Sequence, residues 1–140
     1  MGARPARDDS GAMNSATRTS VYIVDDSPAI RSRLTEMLSR MDQVTVVGEA
    51  GSARDAVEAI LRLRPHSVLL DLNLLGVSGM EVLRAVHERA PEVEFIVLTN
   101  HSEPQYRRAC TAAGARYFLD KTSEFDRVPD VIAKIAALRH

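Results

Sequence analysis

Short apolar runs alternate along the chain with longer stretches in which apolar residues recur every three or four positions. The short runs are mostly continuous and rich in valine, leucine and isoleucine. That composition is typical of parallel strands covered on both faces, because a strand with one face in water alternates polar and apolar residues. The predicted strands are Val21–Val24, Val44–Gly48, Ser67–Leu70, Phe95–Leu98 and Arg116–Leu119.

The stretches between the strands have the features of amphipathic helices. Ser52 with Asp55 resembles a capping box at the start of the second helix. Ser102 as a cap and Pro104 in the first turn begin the fourth helix, and Gly114 ends it. The predicted buried stripes of the other helices are Ile30, Leu34, Met37, Leu38 and Met41, then Val57, Ile60 and Leu61, then Met80, Leu83 and Val86, and finally Val128, Val131, Ile132, Ile135 and Leu138.

Five strands alternating with five helices predict an α/β fold with a doubly wound, five-stranded parallel sheet. The sequence has neither the glycine-rich dinucleotide fingerprint nor a P-loop. The order 2-1-3-4-5 is therefore expected, with strands one and three adjacent at the point where the winding reverses.

Composition limits the possible partners and the domain organisation. The chain has 140 residues, 45% apolar content and a net charge of −1, which fits one globular domain over residues 19–140 and gives no general attraction to nucleic acid or to an anionic membrane. Residues 1–18 are rich in Pro, Gly, Ser and charge, and we expect a disordered leader there. One cysteine and no apolar stretch of transmembrane length favour the cytoplasm.

Polar residues follow or end four of the predicted strands: Asp25 and Asp26, then Asp71, Thr99 and Lys121. Each alone has an ordinary explanation as a turn former, a helix cap, a β-former or a solvated lysine. In a parallel sheet, however, all five gather at the carboxyl edge, where such folds bind ligands. The combination predicts a site that handles phosphate with the help of a metal ion.

The chemistry of that site follows from the residue types. A carboxylate such as Asp71 can attack phosphorus and form an aspartyl phosphate. Asp25 and Asp26 supply oxygen ligands of the kind that Mg²⁺ prefers. Lys121 can pair first with Asp71 and then with a phosphoryl oxygen, and the Thr99 hydroxyl can contact another phosphoryl oxygen.

With these motifs, residues 19–138 closely resemble the receiver domain of two-component response regulators. The resemblance rests on the acidic pair in VYIVDDSPAIRSRL, Asp71 in VLLDLNLLGVSGMEVL, Thr99 in FIVLTN and Lys121 in GARYFLDKTSEF. Gly79 also stands where the family keeps a glycine. The resemblance implies a flavodoxin-like fold and a stand-alone signalling switch. It implies no enzymatic activity beyond the protein's own phosphorylation and dephosphorylation.

The resemblance further implies a sensor histidine kinase or phosphotransfer protein as donor to Asp71, with Mg²⁺ (or Mn²⁺) bound by Asp25, Asp26, Asp71 and the backbone carbonyl of Asn73. Thr99 and Phe118 resemble the family's switch pair. Phosphorylation would then change how the face of helix 4, strand 5 and helix 5 binds a downstream protein, with a homodimer as a further possibility.

Four positions depart from the common receiver pattern. Leu74 and Leu75 replace a frequent Met-Pro pair, so we expect a less rigid loop. Thr122 replaces a proline that often follows the lysine through a cis bond, and we expect the Lys121–Thr122 bond to be trans because a cis bond there costs roughly 3–4 kcal/mol. Asn100, larger than the usual residue, is expected to restrict access to the phosphoryl group.

Other interpretations remain open at the level of sequence. A haloacid-dehalogenase-like phosphohydrolase also combines Asp, Thr and Lys, but it requires a second aspartate where Asn73 stands. A receiver that acts without phosphorylation, or a receiver cut from a longer regulator, fits the same motifs. Cys110 is expected in the core, Tyr106 fits either a signalling face or packing, and Arg107 with Arg108 predict a solvated helix face.

Overall fold

The computed structural model describes residues 18–139, and they form one five-stranded sheet with helices on both faces. The predicted leader lies outside the described residues apart from Arg18. All pairings in the five-stranded sheet are parallel, and the order β2-β1-β3-β4-β5 is the predicted one. The strands are β1 (Thr19–Val24), β2 (Val44–Ala50), β3 (Ser67–Leu70), β4 (Glu94–Thr99) and β5 (Tyr117–Asp120).

Five α-helices and one 3₁₀ turn, Phe125–Arg127, connect and follow these strands in the part of the chain that the structure describes. Ser27 and Ser52 cap the first two helices with side-chain hydrogen bonds, as predicted for Ser52. The capping predicted for Ser102 is wrong, because the fourth helix begins one residue later, after Glu103. The helices are α1 (Pro28–Ser39), α2 (Ala53–Leu63), α3 (Met80–Arg89), α4 (Pro104–Ala112) and α5 (Val128–Leu138).

Two apolar clusters, one on each face of the sheet, hold these elements together. Alternate side chains of β1 enter opposite clusters: Val21 and Ile23 pack with α1 and α5, while Tyr22 and Val24 pack with α2 and α3. Cys110 is fully buried, as predicted. Leu138 corrects the predicted stripe of α5, since it is 68% exposed at the last position of that helix. No helix within residues 18–139 is long and apolar enough to span a bilayer.

The loop after Asp71 contains a short antiparallel hairpin that the sequence did not predict. Asn73–Leu74 pairs with Val77–Ser78. The two residues of the turn have positive φ angles, 50° at Leu75 and 85° at Gly76, as a type I′ turn requires at both central positions. The segment that we expected to be a less rigid loop is therefore a paired hairpin. It places an exposed leucine in a left-handed conformation.

Replacing Leu75 with asparagine is expected to stabilise the protein by about 1 kcal/mol. Asparagine tolerates the left-handed region better than leucine, and Asn-Gly is the preferred type I′ pair. The Leu75 side chain is 74% exposed, so its loss removes little packing. Urea unfolding measures the change. The matched control is Leu138→Asn, which alters an exposed leucine in a helix. An unchanged or lower free energy of unfolding for Leu75→Asn would show that the left-handed conformation of Leu75 does not cost stability.

Candidate functional site

The ends of neighbouring strands bring the predicted site residues to one edge of the sheet. Asp25 and Asp26 follow β1, Asp71 follows β3, Thr99 ends β4 and Lys121 follows β5. The pairing of β1 and β3 continues one step past the strands, because the Asp71 N–H donates to the carbonyl of Val24 at 3.0 Å. This hydrogen bond brings the acidic pair and the central aspartate next to each other.

Three carboxylates form the centre of the site. Asp25, Asp26 and Asp71 each offer an oxygen, and these oxygens lie within 4.8 Å of one another. Asp25 and Asp71 are 2% and 6% exposed, while Asp26 is partly exposed. Negative charges this close repel each other strongly when they are removed from water. An all-oxygen donor set of this kind fits a hard divalent cation such as Mg²⁺.

Lys121 supplies a positive charge between two of the carboxylates. Its Nζ lies 2.7 Å from Oδ2 of Asp25 and 3.0 Å from Oδ2 of Asp71. Burial alone would lower the pKa of Lys121, but the hydrogen bonds to Asp25 and Asp71 outweigh burial and raise the pKa above its usual value. The ammonium therefore stays charged at neutral pH. The pairing with Asp71 was predicted, and the shorter contact with Asp25 was not.

Backbone N–H groups hold the three carboxylates in place. The N–H of Ser27 donates to Asp25 at 2.9 Å, and that of Asn73 donates to Asp71 at 3.3 Å. A longer contact of 3.4 Å joins the Leu75 N–H, at the tip of the hairpin, to Asp26. Each acidic side chain thus has at least one partner from a turn.

Gly79 packs directly against the backbone that follows β3. A side chain at Gly79 would overlap the carbonyl oxygen of Asp71 and would place its Cβ 2.9 Å from the Cα of Leu72. The Gly79 N–H donates to the carbonyl of Leu72 at 2.7 Å. Only glycine fits this close approach, which explains the glycine at this position.

Thr99, at the end of β4, and Phe118, in β5 beneath Arg107 of α4, are both buried. The Thr99 hydroxyl accepts a hydrogen bond from the His101 N–H at 3.2 Å, and Phe118 is 8% exposed. The Arg107 guanidinium lies 4.7 Å from the centre of the Phe118 ring and donates to the Phe118 carbonyl at 3.3 Å. Arg107 was predicted to be part of a solvated face, so this cation–π contact was missed.

Comparison with known proteins identifies the family. The protein-family sequence model described as "Response regulator receiver domain" matches residues 21–133, which is most of the chain. The chain belongs to the response regulator receiver family. This receiver is 27% identical over 117 residues to the response regulator GacA of Pseudomonas aeruginosa, covering 84% of this chain and 55% of GacA. The chain thus spans about half the length of that relative.

Two further relatives agree with this assignment. The regulatory protein LuxO of Vibrio cholerae is 33% identical over 123 residues, which cover 84% of this chain and 26% of LuxO. The signal receiver domain of the response regulator NarL from Mycobacterium tuberculosis superposes with a TM-score of 0.79. It is 29% identical, and the match covers 86% of this receiver and 97% of that domain.

Hydrogen bonds to the Asp120 side chain fix the turn after Lys121, where Thr122 replaces the proline that often follows this lysine. The Lys121–Thr122 bond is trans, as expected. A single oxygen of Asp120 accepts hydrogen bonds from the N–H groups of Thr122 and Ser123, at 2.8 and 2.9 Å. A hydrogen bond from the Ser102 side chain, followed by these N–H groups, lowers the pKa of Asp120 to about 2. Side-chain hydrogen bonds thus fix the turn that presents Lys121.

Sequence reasoning missed the parts that two residues play near the site: Asp120 was not singled out at all, and Arg107 was predicted only as part of a solvated helix face. Asp120 had a local signal, since aspartate two residues before threonine or serine commonly forms a turn of this type. Arg107 had none, because a surface arginine on an amphipathic helix looks the same whether or not a ring lies beneath it.

Proposed function

We propose that Asp71 accepts a phosphoryl group from a sensor histidine kinase or a phosphotransfer protein. The observation that carries the proposal is the meeting of three carboxylates and one ammonium at a single sheet edge, in a member of the receiver family. In the transfer, an oxygen of Asp71 bonds to phosphorus while the bond between phosphorus and the donor atom breaks. The protein acts as a switch and catalyses only reactions of its own phosphoryl group.

We assign the metal to Asp25, Asp26, Asp71 and the backbone carbonyl of Asn73. When bound, Mg²⁺ or Mn²⁺ would neutralise charge on the transferred phosphoryl group. Lys121 already touches Asp71 and would pair with one phosphoryl oxygen. The Thr99 hydroxyl, which accepts a hydrogen bond from the His101 N–H, would donate its own hydrogen to another phosphoryl oxygen.

The proposed output runs through Thr99 and Phe118 to the face formed by α4, β5 and α5. Phe118 already lies beneath α4, where Arg107 covers its ring. A phosphoryl group that draws Thr99 toward Asp71 would alter the loop before α4, and with it the surface offered to a protein target or to a second copy of the chain. The shift can be no larger than the difference in phosphoryl contacts between the two conformations.

Treatment with acetyl phosphate and Mg²⁺ tests the proposal. We expect a mass gain of one phosphoryl group, located on Asp71 by peptide mapping. No mass gain is expected when the reaction contains a chelator in place of Mg²⁺. The variant Asp71→Asn, which keeps the shape of the side chain, should gain no mass. A folded wild-type protein that takes up no phosphoryl group from acetyl phosphate or from a histidine kinase would overturn the proposal.

A further inference from the structure

Two of the residues that depart from the common receiver pattern contact each other. The Thr122 hydroxyl donates to Oδ1 of Asn100 at 3.1 Å, across 22 positions of sequence. Asn100 directly follows Thr99, and Thr122 directly follows Lys121. The hydrogen bond therefore joins the residues next to the two groups that would hold the phosphoryl oxygens.

The contact extends the pairing of β4 and β5 beyond the strands. The Lys121 N–H donates to the carbonyl of Thr99 at 2.8 Å. The Asn100–Thr122 contact lies one residue farther along each of the two segments that follow β4 and β5. Thr122 is itself fixed, because its N–H donates to Asp120 at 2.8 Å. The loop after β4 is thus fastened to an ordered turn.

We propose that the Asn100–Thr122 hydrogen bond is a positioning contact. It holds the loop that carries Thr99 against the turn that carries Lys121, and it thereby prolongs the lifetime of the aspartyl phosphate. This inference rests on the proposed function of Asp71. Asn100 and Thr122 touch neither the phosphoryl group nor the metal in this scheme. They restrict the separation of the two loops that flank the phosphoryl group.

The physical basis is the entry of water. In hydrolysis a water oxygen bonds to phosphorus, the bond from phosphorus to the Asp71 oxygen breaks, and the water protons pass to the released phosphate and solvent. Loops that separate more often admit water more often. A single net hydrogen bond changes an equilibrium between closed and open loops by roughly three- to tenfold.

Phosphoryl lifetimes in four variants test the pair. Thr122→Val keeps the side-chain shape but removes the donor, and we expect roughly three- to tenfold faster loss of the phosphoryl group. Asn100→Ala should give a similar acceleration, and the double variant should be no faster than the faster single variant. Thr122→Ser restores the hydroxyl and should restore the wild-type lifetime.

Controls separate positioning from folding and from failure of the site itself. Thr111→Val makes the same change on an exposed part of α4 and should leave the lifetime unchanged. Urea unfolding should show all variants folded. A wild-type lifetime in Thr122→Val, or additive effects in the double variant, would overturn the pair while leaving Asp71 phosphorylation intact. No phosphorylation of the wild type at all would overturn both proposals.

Discussion

Lys121→Met is expected to slow phosphorylation of Asp71 by roughly 100-fold and to lower the free energy of unfolding by about 3 kcal/mol in metal-free buffer. The ammonium lies between Asp25 and Asp71, whose side chains are only 3% and 8% exposed. Methionine keeps most of the lysine stem, so the loss is chiefly electrostatic. Two buried carboxylates would be left without their shared partner, which is far more costly than losing an exposed ion pair.

Urea unfolding in the presence of a chelator and labelling with acetyl phosphate measure the two effects of this change. The matched control is Lys134→Met, which alters an exposed lysine on α5. Added Mg²⁺ should stabilise Lys121→Met more than the wild type, because the variant site carries one positive charge fewer. If Lys121→Met unfolds at the same urea concentration as Lys134→Met, the ammonium does not compensate the buried charges.

The sheet and the five site residues were predictable because their signals are local in sequence. A continuous apolar run followed by Asp25, Asp71 or Lys121 marks both a buried strand and its carboxyl end. Once the strand order is known, parallel pairing alone brings those ends together. The predicted strand boundaries needed only small changes, such as the extension of β2 to Ala50.

Contacts that depend on side-chain direction across the fold were not predictable in this way. The Asn100–Thr122 hydrogen bond joins two residues that each looked only like a departure from a family pattern. The hairpin after Asp71 has Leu75 where its turn would favour asparagine or glycine, so the usual turn signal is missing. Leu138 continues a helical stripe in sequence, yet it lies at the end of α5 and is exposed.

Asp26→Asn should have the opposite effect on stability from Lys121→Met. In metal-free buffer we expect the free energy of unfolding to rise by about 1 kcal/mol, because one of three mutually repelling charges within 4.8 Å is removed. The gain is limited by the partial exposure of Asp26 to solvent. The asparagine oxygen can still accept the hydrogen bond from the Leu75 N–H at the hairpin tip.

The same substitution should abolish most of the stabilisation that Mg²⁺ gives to the wild type, since a charged oxygen ligand is lost. Unfolding curves with a chelator and with millimolar Mg²⁺ measure both quantities on the same protein. Asp42→Asn, at an exposed position after α1, controls for the change in net charge. If Asp26→Asn has a lower free energy of unfolding than the wild type in metal-free buffer, repulsion among the three carboxylates is not the main electrostatic effect in that buffer. If Mg²⁺ stabilises both proteins equally, Asp26 is not one of its ligands.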